Sequence, residues 1–221
     1  MTREKGEPFP FPKKITLIDR VQSENEKEAF QVLEERARAL ETKLFQAFGS
    51  TPSAREATDA IHNVLEELIM IAKDARIFSR QYRGFAVGAV VLGFRKTSHP
   101  GRNPWRIMFD ANTKPTVHDA KWCAEQYLMD RALTTEEKFA RILAFIVVGE
   151  PQTDDDSKRT QITLTPCKQC RDRMLLLTEG DTPLIARNTE VITAHAKQTA
   201  FRKYQHVKDL SVFHKEYVEF D

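Results

Sequence analysis

The chain has 221 residues, 41% of them hydrophobic and 30% charged, enough for one ordinary domain with an extension, or two small ones. The 34 basic residues against 32 acidic ones leave a net charge of +2, so nothing global draws the chain to nucleic acid or an anionic membrane. No apolar run approaches the ~20 residues that cross a bilayer. The opening MTREKGEPFPFPKK lacks the apolar centre of a secretion signal, so the expected compartment is the cytoplasm.

Residues 1–22, with prolines at 8, 10 and 12, read as an arm. Ser23 and Glu26 form a capping-box pattern, and Phe30, Leu33, Ala37, Leu40, Leu44 and Phe48 recur at helical spacing. A helix is predicted over 24–48. GSTPS breaks it, Ser53 and Glu56 make a second capping box, and an apolar stripe from Ala57 to Ala72 predicts a second helix to about 79. The run FAVGAVVLGF at 85–94 is near-continuously apolar, as expected of a strand covered on both faces. WRIMFDA at 105–111 is the next strand, 119–133 a helix, and ILAFIVVGE at 142–150 a third strand. QITLTP leads into CKQCRDRMLLL, a helix with Pro166 in its first turn. TPLIAR and TEVITAH are predicted as two short strands, and the tail from Lys197 as helical. Strands alternating with helices define a layered α/β domain. The apolar stripe of the first helix needs a partner, either this domain or a second subunit; a homo-dimer or homo-tetramer is expected.

The chain has three cysteines, and all of them fall in two short motifs. Cys167 and Cys170, three apart at the start of a helix, place both sulfurs on one face. Cys123 would join them from a facing helix. Zinc takes four ligands, and a catalytic zinc keeps one place for water; three thiolates leave that place. Helix N-termini offset part of the thiolate charge. Glu125, two residues past one ligand, is placed to carry protons between water and a leaving group. The competing readings are buried thiols acting as small hydrophobes, or a structural zinc with His118 as fourth ligand.

Cys123-Ala124-Glu125 followed by Pro166-Cys167-x-x-Cys170 resembles the zinc signature of the cytidine deaminase superfamily. FAVGAVV at 85–91 is similar to the strand that opens those domains, and the resemblance spans roughly residues 55–215. It implies a three-layer α/β/α deaminase-like sheet, with residues 1–52 as an N-terminal arm and helix and 53–221 as the catalytic domain. It implies one Zn2+ per chain on Cys123, Cys167 and Cys170, with Glu125 as proton shuttle. The expected reaction is hydrolytic deamination of a small amine-bearing heterocycle such as a cytidine-like compound. On the substrate side it places Phe85, Asn112, Lys114, Ala124, Thr165 and Pro166.

Two positions depart from the family pattern. The usual Asn-x-Glu that holds ribose is Asn112-Thr113-Lys114, and the usual CAER is CAEQ, with Gln126 in place of an arginine that softens thiolate charge. Arg171 could compensate. Lys114 cannot accept from ribose hydroxyls but could meet a phosphate or carboxylate. A deaminase acting on a base within a nucleic acid, and a zinc-fold binding protein without turnover, are the alternative functions; the near-neutral charge argues against the former.

Overall fold

The computed structural model describes residues 17, 21, 23–81, 85–96, 101–114, 122–134, 139–150, 166–180, 183–199 and 202–214. For Gln81, Lys114, Thr134 and 211–214 only the backbone is described. The N-terminal arm apart from Leu17 and Val21, residues 161–165 of QITLTP, and His118 lie outside this set.

The first two helices form as their local sequences dictate. Helix α1 (Glu24–Phe48) and helix α2 (Ala54–Ala75) each begin at a complete capping box, Ser23 with Glu26 and Ser53 with Glu56. These boxes satisfy two orphan backbone N–H groups at each start. The second helix ends four residues earlier than the stripe suggested, passing into a 3-10 turn at Arg76–Phe78.

Five strands form one sheet: β2 (Gly88–Arg95), β3 (Trp105–Ala111), β5 (Phe139–Gly149), β6 (Ile185–His195) and β7 (Arg202–His206), in the order β3-β2-β5-β6-β7. Only β5 and β6 run parallel; the other neighbours are antiparallel. A two-residue pair, β1 (Arg80–Gln81) with β4 (Thr113–Lys114), stands apart. Side chains alternate across the sheet. Val90, Leu92, Ile146 and Val148 face a core shared with α1 and α2. Ala89, Val91, Phe145 and Val147 face a second core with α3 (Ala124–Thr134) and α4 (Lys168–Leu176). The result is a helix–sheet–helix three-layer α/β fold, as expected, with apolar strands because both faces are covered.

Several expected boundaries moved. FAVGAVVLGF joins the sheet only from Gly88, because 85–87 are held by side chains instead: the Arg76 guanidinium donates to the Ala86 carbonyl at 3.0 Å, and Asn112 accepts from the Val87 amide at 2.8 Å. The helix expected over 119–133 starts at Ala124. Pro166 precedes α4 rather than sitting in its first turn. The two short strands TPLIAR and TEVITAH are one strand, β6, with a break in register where Ile142 pairs with Ile185 but Ala144 with Glu190. There Thr189 accepts from the Ala186 amide at 3.0 Å and donates to the Ile142 carbonyl at 3.1 Å, bridging the irregularity. Among the described residues the tail is not an α-helix. Arg202–His206 pairs along β6, and a 3-10 segment follows at Val207–His214. The backbone edge of β6 offers a ladder that a polar strand can complete whatever its own propensity.

Gly88 fixes how α2 lies on the sheet. A Cβ there would stand 1.9 Å from the Ala72 carbonyl oxygen, an approach no rotamer can relieve. Gly88→Ala is therefore expected to destabilise by at least the ~1–3 kcal/mol typical of overpacking, read as a lower denaturation midpoint with unchanged slope. An unchanged midpoint would mean that α2 slides freely over β2.

The stripe of α1 is used within the chain. Leu33, Ala37, Leu40 and Leu44 are buried in the core that also contains β3 residues Ile107 and Phe109. One buried polar residue, Glu41, lies in the same face. Its carboxylate accepts from the Ile107 amide at 2.8 Å and from Arg106 at 3.1 Å, capping the outer edge of β3 where another strand could add. Burial pushes the Glu41 carboxyl up, opposed by the Ile107 hydrogen bond and by Arg106. Because its folded pKa is raised, its contribution is fully present below the ordinary glutamate range and is lost as pH rises through the folded value. Glu41→Ala, which strands the Ile107 N–H and removes one partner of Arg106, is expected to cost about 1–3 kcal/mol. Glu41→Gln, which keeps an acceptor for Ile107, is expected to cost less. Equal denaturation midpoints for the two variants would refute the capping role.

Candidate metal centre and active site

The three cysteines meet between two helix N-termini. Cys123 stands at the N-cap of α3, its carbonyl accepting from the Tyr127 amide at 3.3 Å. Cys167 is the N-cap of α4, in extended conformation, and its thiol makes no capping hydrogen bond. Cys170 is the third residue of that helix. Cap and third residue are the positions whose side chains converge in a Ser-x-x-Glu capping box; here they bring two sulfurs together instead. Cys123 Sγ lies 3.3 Å from Cys167 Sγ, which lies 3.4 Å from Cys170 Sγ. All three are within 4.8 Å of one another, and all are free thiols. With Zn–S near 2.3 Å, tetrahedral ligands stand about 3.8 Å apart, so the donor set fits one zinc ion and is too open for a disulfide. The cluster could hold a metal ion.

Electrostatics agree with that fit. The neighbouring thiols, then burial and the Glu125 charge, push the Cys170 thiol well up. The Cys123 thiol is also pushed up, with Cys167 the largest cause and Glu125 among the others. Three such groups cannot ionise side by side without a cation. Glu125, in the first turn of α3, is only 4% exposed, and its charge reaches both thiols. Buried near three sulfurs that, among the described residues, would leave one position on a metal ion open, it can exchange a proton with a molecule bound there.

Position 126 finds a use in helix capping. Gln126 Oε1 accepts from the Cys123 amide at 3.0 Å, the return half of a capping box, and so steadies the residue that carries the first thiol. Arg171 donates to the Pro166 carbonyl at 2.7 Å and ties down the turn that carries Cys167.

The residues expected on the substrate side are described in part. Ala124 is fully buried at the start of α3, and Phe85 is half-buried against the same core cluster. Pro166 is buried just before Cys167. Asn112 is buried at the end of β3, 1% exposed, with its amide bonded within the chain. Thr165 and the Lys114 side chain lie outside the described residues. Sequence reasoning missed a clasp beside Cys123. Thr113 and Trp122 exchange backbone hydrogen bonds, each 2.9 Å. The Thr113 hydroxyl meets the Tyr127 hydroxyl at 2.8 Å, and Trp122 stacks on Tyr127 with centroids 5.7 Å apart. The available signal was spacing: Tyr127 is one helical turn after Cys123.

The class defined so far is a three-layer α/β protein with three clustered thiols that could hold a metal ion and a buried carboxylate nearby. Among solved structures the chain is similar to the cytidine deaminase from Burkholderia pseudomallei, at 24% identity over 66% of this chain and 94% of that one, with a TM-score of 0.46. It is also similar to the cytidine deaminase from Mycobacterium leprae, at 22% identity over 66% and 95%, with a TM-score of 0.42. No family model and no curated protein matches the chain. No helix among the described residues is long and apolar enough to cross a membrane.

Proposed function

We propose that the chain catalyses zinc-dependent hydrolytic deamination of a small amine-bearing heterocycle. The observation that carries this reading is the cluster of three sulfurs at two helix N-termini with buried Glu125 beside them. Cys123, Cys167 and Cys170 would hold the ion. When bound, zinc supplies Lewis-acid activation that makes water a nucleophile near neutral pH. Glu125 would accept the first proton that water gives up and pass it to the ring nitrogen, then carry the second, from the new hydroxyl on the carbon, to the departing amine. The carbon exchanges its C–N bond for C–O, and ammonia leaves. The buried setting of Glu125 and Ala124 keeps bulk water from that proton path.

The ring is expected to be cytosine-like. The loop that would hold a sugar carries Lys114 where the related pattern has a glutamate, so an anionic or non-ribosyl compound should be preferred to plain cytidine. The test is zinc content of the purified chain together with ammonia release from cytidine, its monophosphate, cytosine and comparable adenine and guanine compounds. Zinc with steady ammonia release from a cytosine compound supports the reading. A zinc-loaded chain that releases none from any compound would make it a binding protein on the same scaffold.

A further inference from the structure

Two helices carry the three thiols, and no short connection sets their spacing. From α3 the chain passes through β5 before it reaches Cys167 and α4. The distance from Cys123 to the other two sulfurs is therefore set by how the helices stand against each other. Both lie on one face of the sheet, where Leu128 and Met129 of α3 share an apolar cluster with Met174 of α4. Apolar burial is non-directional; a charge-assisted hydrogen bond adds a direction. Asp130 and Arg173 supply one, the guanidinium donating to a carboxylate oxygen.

Asp130 lies seven positions past Cys123, and Arg173 six past Cys167, about 10 Å along each helix. The helices thus meet at corresponding levels, sulfur to sulfur at their starts and carboxylate to guanidinium some two turns on. They run side by side with both N-termini at the thiols. The Asp130 and Arg173 side chains are only 27% and 24% exposed, so the pair is better shielded than an ordinary surface contact. Burial pushes the Asp130 carboxyl up and Arg173 draws it down; loss of Arg173 removes a charge that offsets that burial. The next residue ties α3 the other way. Arg131 donates to the Phe109 carbonyl at 3.1 Å and stands 3.5 Å from the carboxylate of fully buried Asp110. One residue fastens α3 to β3, and the residue before it fastens α3 to α4.

Resting on the zinc reading above, we propose that Asp130 and Arg173 are positioning residues of the metal centre. Their ion pair sets the level and separation at which α3 stands against α4, and so the distance from Cys123 to Cys167 and Cys170. Glu125 rides on α3 as well, so the pair also sets where that carboxylate stands against the metal position. Neither residue is a metal ligand or a substrate contact.

Four variants test this. Arg173→Met removes the charge and keeps much of the apolar stem, and Arg173→Lys keeps a cation there. Asp130→Asn removes the charge on the other side, and Asp130→Asn with Arg173→Met completes a double-mutant cycle. The zinc affinity of each full chain is read by competition with a chromophoric chelator. The same chains are loaded with Co2+, whose d–d absorption reports the geometry of its ligands, and their circular dichroism and melting temperature are recorded. Zinc affinity is expected to fall about tenfold in Arg173→Met, the lower end of the range for residues that orient ligands without binding the metal. Asp130→Asn should match it, the double variant should lose little more than either single one, and Arg173→Lys should recover most of the loss. The Co2+ absorption should shift in both single neutral variants and return in Arg173→Lys. A pair that merely steadied the fold would lower the melting temperature and leave zinc affinity and Co2+ absorption as in wild type; that result overturns the proposal, as do additive losses in the double variant. If Arg173→Met does not fold, Asp130→Asn against Arg173→Lys carries the same comparison. A wild-type chain that takes up no zinc overturns the metal reading and this inference with it. Zinc affinity that follows the pair, in a chain that releases no ammonia from any cytosine compound, upholds the pair and sinks the deaminase reading alone.

Discussion

Replacing Glu125 by glutamine is expected to lower turnover by about 10²–10⁴-fold, the range for removing a general acid–base group, while fold and zinc content remain. Glutamine matches the carboxylate in shape but cannot take or give the proton. The burial of Glu125 raises the expected loss, because little bulk water can substitute for it. The measurement is kcat on the best cytosine compound, with zinc analysis and circular dichroism of the same sample. The loss should appear in kcat, since proton transfer belongs to the chemical step. Turnover within a few-fold of wild type would assign proton transfer to another group, and a loss of zinc alongside activity would make Glu125 a structural support of the metal site.

The second large effect concerns the sulfurs. Cys167 is the middle of the cluster, 3.3 Å from one partner thiol and 3.4 Å from the other. Cys167→Ser is expected to weaken zinc binding by more than the ~10–100-fold that follows loss of a mere hydrogen-bond partner of a ligand, and to lower the melting temperature, because metal affinity is folding free energy where the site is assembled by the fold. The pH dependence follows from the same chemistry. Zinc displaces thiol protons, and the metal-free thiols of Cys123 and Cys170 are held above the ordinary range by each other, by burial and by Glu125. Proton competition therefore strengthens as pH falls, and apparent zinc affinity should decline steadily from about pH 8 to pH 6. Competition with a chromophoric chelator across that range measures it. An affinity independent of pH, or one unchanged in Cys167→Ser, would remove the cysteines from the metal.

Features that rest on a few neighbouring residues were legible in the sequence. Both capping boxes stood where Ser-x-x-Glu placed them, because an N-cap is a local hydrogen-bond problem with few solutions. The stripes of α1 and α2 were legible for a similar reason, since burial on one face must repeat with the period of the backbone, and the near-continuous apolar run of β2 marked a strand covered on both faces. The meeting of the three thiols was legible too, since Cys167 and Cys170 share one helix start and no other cysteine is left to serve a different purpose.

Tertiary structure decided everything whose partner lies far along the chain. RKYQH at 202–206 reads as part of a helical tail; it is a strand because the edge of β6 offers it a ladder. TPLIAR and TEVITAH became one strand because β5 bridges their break through Thr189. Gln126 read as a lost positive charge, and only the folded turn shows it capping the Cys123 amide. Asn112 carries the sharpest contrast. As a letter beside Thr113 and Lys114 it is a candidate sugar contact. In the fold, segment 85–87 leaves the sheet and its backbone groups need partners, and the side-chain oxygen and one side-chain N–H of Asn112 bond to them. The sequence determined which residues could do chemistry. Long-range hydrogen bonding decided which polar side chains were left to face a ligand, because a buried backbone group must be satisfied before a side chain is available for anything else.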